Sequence, residues 1–162
     1  MFDGINYFKR LALQNKLVID NSYHVAECSG LEAIEPILDN FQTKTNFLLV
    51  DDTVDAELVS NNSGFFNRRV FTVAIIAKHR WNDTADRNEK MNVCREVFRQ
   101  FLSKLIIDKE NYQYGDSLVY MRTEIIKYRE MNVYNLGNAT GVVFMLPVDE
   151  PTDLRYDAND WE

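Results

Sequence analysis

Two histidines, two cysteines and a run of acidic residues are the side chains in this sequence that could support catalysis or bind a metal ion. His24 and His79 could act as general bases, but neither stands in a motif with a nucleophile. His79 lies between two cations at the end of a predicted strand, and His24 falls in a loop-like segment. We interpret both as structural residues, with a triad assembled in space as the alternative.

Cysteine spacing gives no metal or disulfide signal. Cys28 and Cys94 are far apart in the sequence, form no CxxC motif and have no histidine at zinc-ligand spacing. Free cysteine is among the most often buried residue types, so both are predicted to be small buried hydrophobic residues.

The acidic segment 51–57, Asp-Asp-Thr-Val-Asp-Ala-Glu, superficially resembles a cation site. An EF-hand loop needs a glycine and a glutamate at fixed positions, and both are missing here. A glycine-rich phosphate loop is also missing from its neighbourhood. The segment is therefore predicted to be a solvated acidic loop. We expect no catalytic residue, no cofactor and no metal ion, so the prediction is a protein that is not an enzyme.

The negative charge is concentrated at one end of the sequence. The 162 residues carry a net charge of -7, and the six carboxylates and one arginine from Asp149 onward account for -5 of it. A chain without a basic stripe is poorly suited to hold nucleic acid, although DNA could pass such a surface without sticking. We expect no membrane contact, because the start lacks a signal-peptide pattern and every apolar run is shorter than the ~20 residues that span a bilayer.

Apolar spacing predicts three helical regions. One stripe runs through residues 2–14, and another through 30–41, where Pro36 indicates a kink or a helix that begins near Glu35. The third and clearest begins at Asp83 or Thr84 as N-cap, and its apolar stripe reaches Leu105.

Short apolar runs predict the strands. Residues 47–50 and 70–78 are apolar on both faces, which places the second of them in the centre of a sheet. The charged residues at 68–69 and 78–80 are interpreted as its solvated ends, with a nucleic-acid surface as the alternative. The segment 118–134 fits either a helix or a strand, and we favour a strand from about Arg122 to Tyr134. A last strand at 142–146 is predicted to end at Pro147.

Polar segments predict the connections. Residues 51–67 are predicted to form a long loop with a turn at 61–64, and residues 135–141 a hairpin. The fold class that follows is α+β, with a mixed or antiparallel sheet of about four strands, a long helix packed on one face, and N-terminal helices. Residues 1–150 would form one domain and residues 151–162 an acidic C-terminal tail.

The order of these elements resembles the tail-terminator and tail-completion (neck) proteins of tailed bacteriophages. The resemblance rests on the strand-turn-helix Phe71–Leu105 and on the ending Gly141–Leu146 followed by Pro151–Leu154. It implies a virion protein, assembled in the host cytoplasm, that forms a homo-oligomeric ring and contacts other tail or neck proteins. DNA would be passing cargo only. The N-terminal helical region of this chain is longer than the resemblance implies.

Loops and tail are the expected interfaces of such a ring, because loops longer than ~12–15 residues in a compact domain are usually functional or disordered. Aromatic residues among acids in the tail have the character of anchors for a neighbouring subunit. The alternatives are a small enzyme that uses His24 or His79 with nearby acids, an acidic adaptor, and a tail that folds back on its own domain. The candidate interface residues are Asp55, Glu57, Asn61, Asn62, Phe65, Asn138, Tyr156 and Trp161.

Overall fold

A mixed six-stranded sheet forms the centre of the protein. The computed structural model describes residues 2–61, 63–116, 118–133 and 138–161, and of residues 31, 116, 133 and 160 it describes the backbone alone. The strands are β1 (His24–Cys28), β2 (Asn46–Asp51), β3 (Asp55–Asn61), β4 (Gly64–Lys78), β5 (Gln113–Asp116), β6 (Lys127–Val133) and β7 (Ala139–Thr152). The helices are α1 (Gly4–Gln14), α2 (Lys16–Asp20), α3 (Ile34–Asn40) and α4 (Thr84–Glu110).

The sheet order is β1-β2-β4-β7-β6, and β3 pairs with β4 beside this path. The pair β1–β2 is parallel and the other pairs are antiparallel. The predicted α+β class and the mixed sheet are therefore confirmed, with six strands in the sheet where about four were expected. The strand predicted at 70–78 is central, as its two apolar faces indicated.

Helices cover both faces of the sheet unequally. α1 and α4 pack on one face, called here the helix face, over a core that includes Phe71, Val73 and Phe144. α3 packs on the opposite face, called the α3 face, where Ile34 and Leu38 contact a smaller core. The predicted start of α4 is confirmed, since the Asp83 side chain accepts a hydrogen bond from the Asp86 amide and caps the helix.

The two longest strands, β4 and β7, extend beyond the helix-covered core. β2 pairs with residues 73–77 of β4, while β3 pairs with residues 64–70, so β4 changes its partner on that side along its length. β7 pairs with β4 from Phe65 to Lys78 on the other side. We call residues 55–61, 64–70 and 147–152 the arm.

The long loop predicted at 51–67 is wrong, because residues 55–61 and 64–78 are paired strands joined at the predicted turn. All but one of the seven side chains of β3 are exposed, so its sequence shows no buried apolar face. Arg68 and Arg69 are consequently inside a strand rather than at its end, where their charges were expected to be solvated.

The end predicted for the last strand at Pro147 is also wrong. β7 continues to Thr152, and Pro147 lies opposite Val70 of β4. The Pro147 carbonyl accepts a hydrogen bond from the Arg122 amide on the far side of β7. Because the nitrogen and oxygen of one residue point to the same side of a strand, the missing N–H of proline removes no bond to β4.

Smaller differences concern the ends of other elements. His24 begins β1 and does not lie in a loop, and the strand favoured from Arg122 begins only at Lys127, after a 3₁₀ turn. The second helical region starts as a 3₁₀ turn at 31–33 before α3. Residues 134–137, which include the end of the predicted strand and the start of the predicted hairpin at 135–141, lie outside the described residues. β6 and β7 are antiparallel neighbours, as a hairpin requires. Among the described helices, none is long and apolar enough to cross a membrane.

Candidate assembly surface

Ion pairs between its strands hold the arm together. Arg68 of β4 lies between Glu57 of β3 and Asp149 of β7 in the register of the sheet. Its Nε donates to Asp149 Oδ1 at 2.6 Å and its Nη1 donates to Glu57 Oε1 at 3.1 Å. Arg122 adds a bond from Nη1 to Asp149 Oδ2 at 2.9 Å. These arginines keep the pKa of Asp149 below its usual value, chiefly through the Arg68 hydrogen bonds.

The N-terminal residues attach the arm to the body on the helix face. Arg69 Nη1 donates to the Phe2 carbonyl at 3.0 Å, and the Phe2 amide donates to the Glu150 carboxylate. Arg69 also lies over the ring of Phe71 at 4.8 Å from its centroid. Phe2 is buried against this same ring, so these contacts connect the root of the arm to the core.

Beyond this root the arm exposes apolar side chains to solvent. Leu58 is 59% exposed on β3 and Phe65 is 47% exposed on β4. Phe65 also lines a shallow concavity formed by the start of β4, the end of β7, the segment before β6 and the tail. Phe66, Tyr120 and Pro151 contribute apolar surface to it, and Asp153 and Arg155 contribute charged groups. Apolar and aromatic side chains around a concavity have the composition of a protein–protein contact.

The C-terminal tail does not bury its aromatic residues on the domain. Tyr156 and Trp161 are 75% and 70% exposed, and their rings stack on one another with centroids 6.3 Å apart. The first two residues of the predicted tail, Pro151 and Thr152, pair with β4, while these two rings remain exposed.

Of the remaining predicted interface residues, four lie at one end of β4 and one lies at the other end. Asp55, Glu57, Asn61 and Phe65 lie on the arm, where Asn61 Oδ1 accepts from the Ser63 amide at 2.8 Å and fixes the turn. Asn138 lies at the far end, where its carbonyl accepts from the His79 amide at 2.8 Å and its φ is 48°. Asn62 lies outside the described residues.

The histidines make local contacts that account for their positions. The ring of His24 lies against that of Phe41, with centroids 4.2 Å apart, and His79 Nδ1 donates to the Arg80 carbonyl at 3.0 Å. Burial raises the pKa of Cys28 to about 12 and that of Cys94 to about 11. The predicted burial of both thiols is confirmed, and they are protonated at neutral pH.

The acidic segment 51–57 divides between a structural carboxylate and exposed ones. Asp51 is buried, and its Oδ1 accepts from the amides of Gly30 and Thr53 and from the Thr53 hydroxyl. Asp55 and Glu57 are exposed on β3 instead of lying beside Asp51. Within the described ranges, no group of three or more His, Cys, Asp or Glu side chains is placed to hold a metal ion.

No protein-family model matches the chain, and no curated protein matches it.

Sequence reasoning missed the residues that give the arm its structure. Arg68, Asp149 and Arg122 are separated by up to 81 positions in the sequence, so only the register of the sheet brings them together. The sequence of β3 offers no alternating pattern either, since Leu58 and Val59 are adjacent and most of the other residues are polar.

Proposed function

We propose that the protein is a non-enzymatic structural protein of a tailed-phage virion, a ring-forming tail-terminator or head-tail joining subunit. The observation that supports this proposal best is the arm, a three-stranded extension whose outer strand is exposed on both faces. A sheet with an exposed edge and exposed apolar side chains is a template for pairing with another chain. Ring subunits use such surfaces to contact their neighbours.

The charge of the chain supports the same role. Arg68, Arg69 and Arg122 form ion pairs with carboxylates, which leaves the arm without a free basic stripe that would hold phosphates. The tail adds further acidic residues. DNA would pass such a ring as cargo and would not be bound by it. The other partners would be neighbouring tail or neck proteins, and the place of assembly would be the host cytoplasm.

Assembly of the purified protein tests this function. Native mass spectrometry and negative-stain microscopy over a broad concentration range should show a closed homo-oligomer. Replacing both Leu58→Asp and Phe65→Asp should leave a folded monomer, because the apolar contact area of the arm is removed.

The matched control is Leu13→Asp, which changes an equally exposed leucine on α1, away from the arm. This variant should still assemble. A wild-type chain that stays monomeric at every concentration, and also beside purified tail proteins, would overturn the proposal.

A further inference from the structure

We propose that β3 of one copy pairs with β6 of the next copy as antiparallel neighbours in a continuous sheet, with Glu57 directly opposite Arg129. This inference rests on the ring-forming function proposed above and names the contact that would build the ring. The partner is a second copy of the same chain, and each copy uses two different edges.

Both edges are open in the single chain. Within the described residues β3 is hydrogen-bonded to β4 alone, and β6 to β7 alone. Each strand is seven residues long. Most side chains of both strands are exposed as well. A strand with a partner on one side alone presents the backbone donors and acceptors of its other side to a further strand.

Strand direction and side-chain facing both match for a copy placed beside the first in the same orientation. β3 and β7 are antiparallel to β4, and β6 is antiparallel to β7, so β6 runs opposite to β3. Glu57 is opposite Arg68, which lies an even number of residues from Ala74 along β4 and therefore on the same face, the α3 face. Asp149, opposite Arg68 on β7, lies on this face too. Arg129 lies on that same face through its partner Val143.

The charges on the two strands favour pairing of β3 with β6 over pairing of β3 with β3 or of β6 with β6. On the α3 face β3 presents Asp55 and Glu57, whereas β6 presents Lys127 and Arg129, and all four are exposed. Within the described chain neither Lys127 nor Arg129 forms an ion pair with a carboxylate. The ion pair between β6 and α4 is made by Glu130 with Arg95. A β3–β3 contact would bring together only acidic side chains, and a β6–β6 contact only basic ones, among the charged residues of this face, so neither would gain an attraction between opposite charges.

The register with Glu57 opposite Arg129 extends a row of alternating charge. Asp149, Arg68 and Glu57 already lie side by side across three strands, and Arg129 of the next copy would be the fourth charge in this row. Asp55 and Lys127 then lie diagonally from their opposite charges, within reach of long side chains.

The register determines how far the next copy is displaced along the strands. Glu57 is level with Arg68 of β4, and Arg129 is level with Ala74, so neighbouring copies are offset by six residues, about 20 Å along the strands. With this offset β6 of the next copy runs beside β3 and ends, at Val133, level with Cys28, the last residue of β1.

The same offset is compatible with closure of a ring. The four strands β3, β4, β7 and β6 contribute about 19 Å of width per copy. An offset of about 20 Å over this width tilts the strands by about 45° from the ring axis, which is a usual tilt for closed sheets.

Charge reversal with complementation tests the pairing. One variant carries Asp55→Lys with Glu57→Lys, and a second carries Lys127→Glu with Arg129→Glu. Each alone should be monomeric by native mass spectrometry, because its two edges have the same sign. An equimolar mixture should assemble, because every contact then joins opposite charges. The control variant Asp20→Lys with Glu89→Lys makes the same charge change at exposed sites away from both edges and should assemble like the wild type.

Hydrogen exchange of the wild type provides a second measurement that needs no substitution. The amides of β3 and β6 should exchange more slowly in the oligomer than in the dilute monomer. If the wild type assembles but the mixture does not, or if neither strand gains protection, the edge pairing is overturned while the ring function stands. A wild type that never assembles overturns both.

Discussion

Replacing Asp149 with asparagine should destabilise the fold through loss of the ion pairs at the root of the arm. The Asp149 side chain is only 12% exposed and accepts three charge-assisted hydrogen bonds, two from Arg68 and one from Arg122. Such bonds contribute ~1.5–3 kcal/mol each when buried. The two arginines remain partly exposed, so screening by solvent reduces the sum, and we expect a total loss of about 2–3 kcal/mol.

The matched control is Glu57→Gln. Glu57 contacts the same arginine, but its side chain is 63% exposed, so this ion pair should contribute less than about 1 kcal/mol. Thermal unfolding followed by circular dichroism gives the comparison. For a domain of this size each kcal/mol corresponds to ~2–4 °C, so Asp149→Asn should lower Tm by about 5–10 °C.

The difference in unfolding free energy between wild type and Asp149→Asn should also depend on pH. The Arg68 and Arg122 contacts lower the pKa of Asp149 in the folded state. A carboxyl whose pKa is lowered by folding stabilises the protein above its ordinary pKa of ~3.9, and this stabilisation is lost as the pH falls through the folded value. The difference should be complete at neutral pH and decrease below about pH 4. Equal effects of the two substitutions at neutral pH, or a difference that persists in strong acid, would refute the reasoning.

Two further substitutions test the core and the long helix. Gly141→Ala should cost more than about 3 kcal/mol in urea unfolding, because the added Cβ would lie 2.1 Å from the Ile75 carbonyl oxygen and force β7 away from β4; an unchanged midpoint would contradict that close approach. Asp83→Ala should lower the free energy of unfolding by about 1 kcal/mol, measured by thermal unfolding, because it removes the N-cap of α4. Asp83→Asn should retain most of the stabilisation, because asparagine also caps helices. Equal losses in the two Asp83 variants would show that the cap is not the cause.

The sequence predicted the elements whose patterns are determined by burial. α4 combines an N-cap at Asp83 with an apolar stripe, and both can be read without knowing the rest of the fold. The central strand was also predictable, because residues 73–77 are buried on both faces and therefore apolar throughout.

The arm could not be predicted in the same way, because long-range register determines it. β3 has no buried side, so its sequence resembles that of a polar loop. The part of β4 that pairs with β3 was equally hard to recognise as a strand. The pattern of Arg68 and Arg69 is typical of a strand end, and their ion pairs with Asp149 and Glu150 on β7 depend on the register of the sheet. The strand end predicted at Pro147 was wrong for a similar reason. Whether a strand can contain a proline depends on the side to which the proline nitrogen points, and the sequence does not show this for β7.

The length of the β4–β7 pairing has a mechanical consequence. Fourteen residue pairs connect these strands from Phe65–Thr152 at the tip to Lys78–Ala139 at the far end. A pull along the strand axis at the tip would load this ladder in shear, so many hydrogen bonds would resist together instead of opening one by one. The arm should therefore resist extension along its strands, and a force applied at its tip would be transmitted through the core to the opposite end of the molecule.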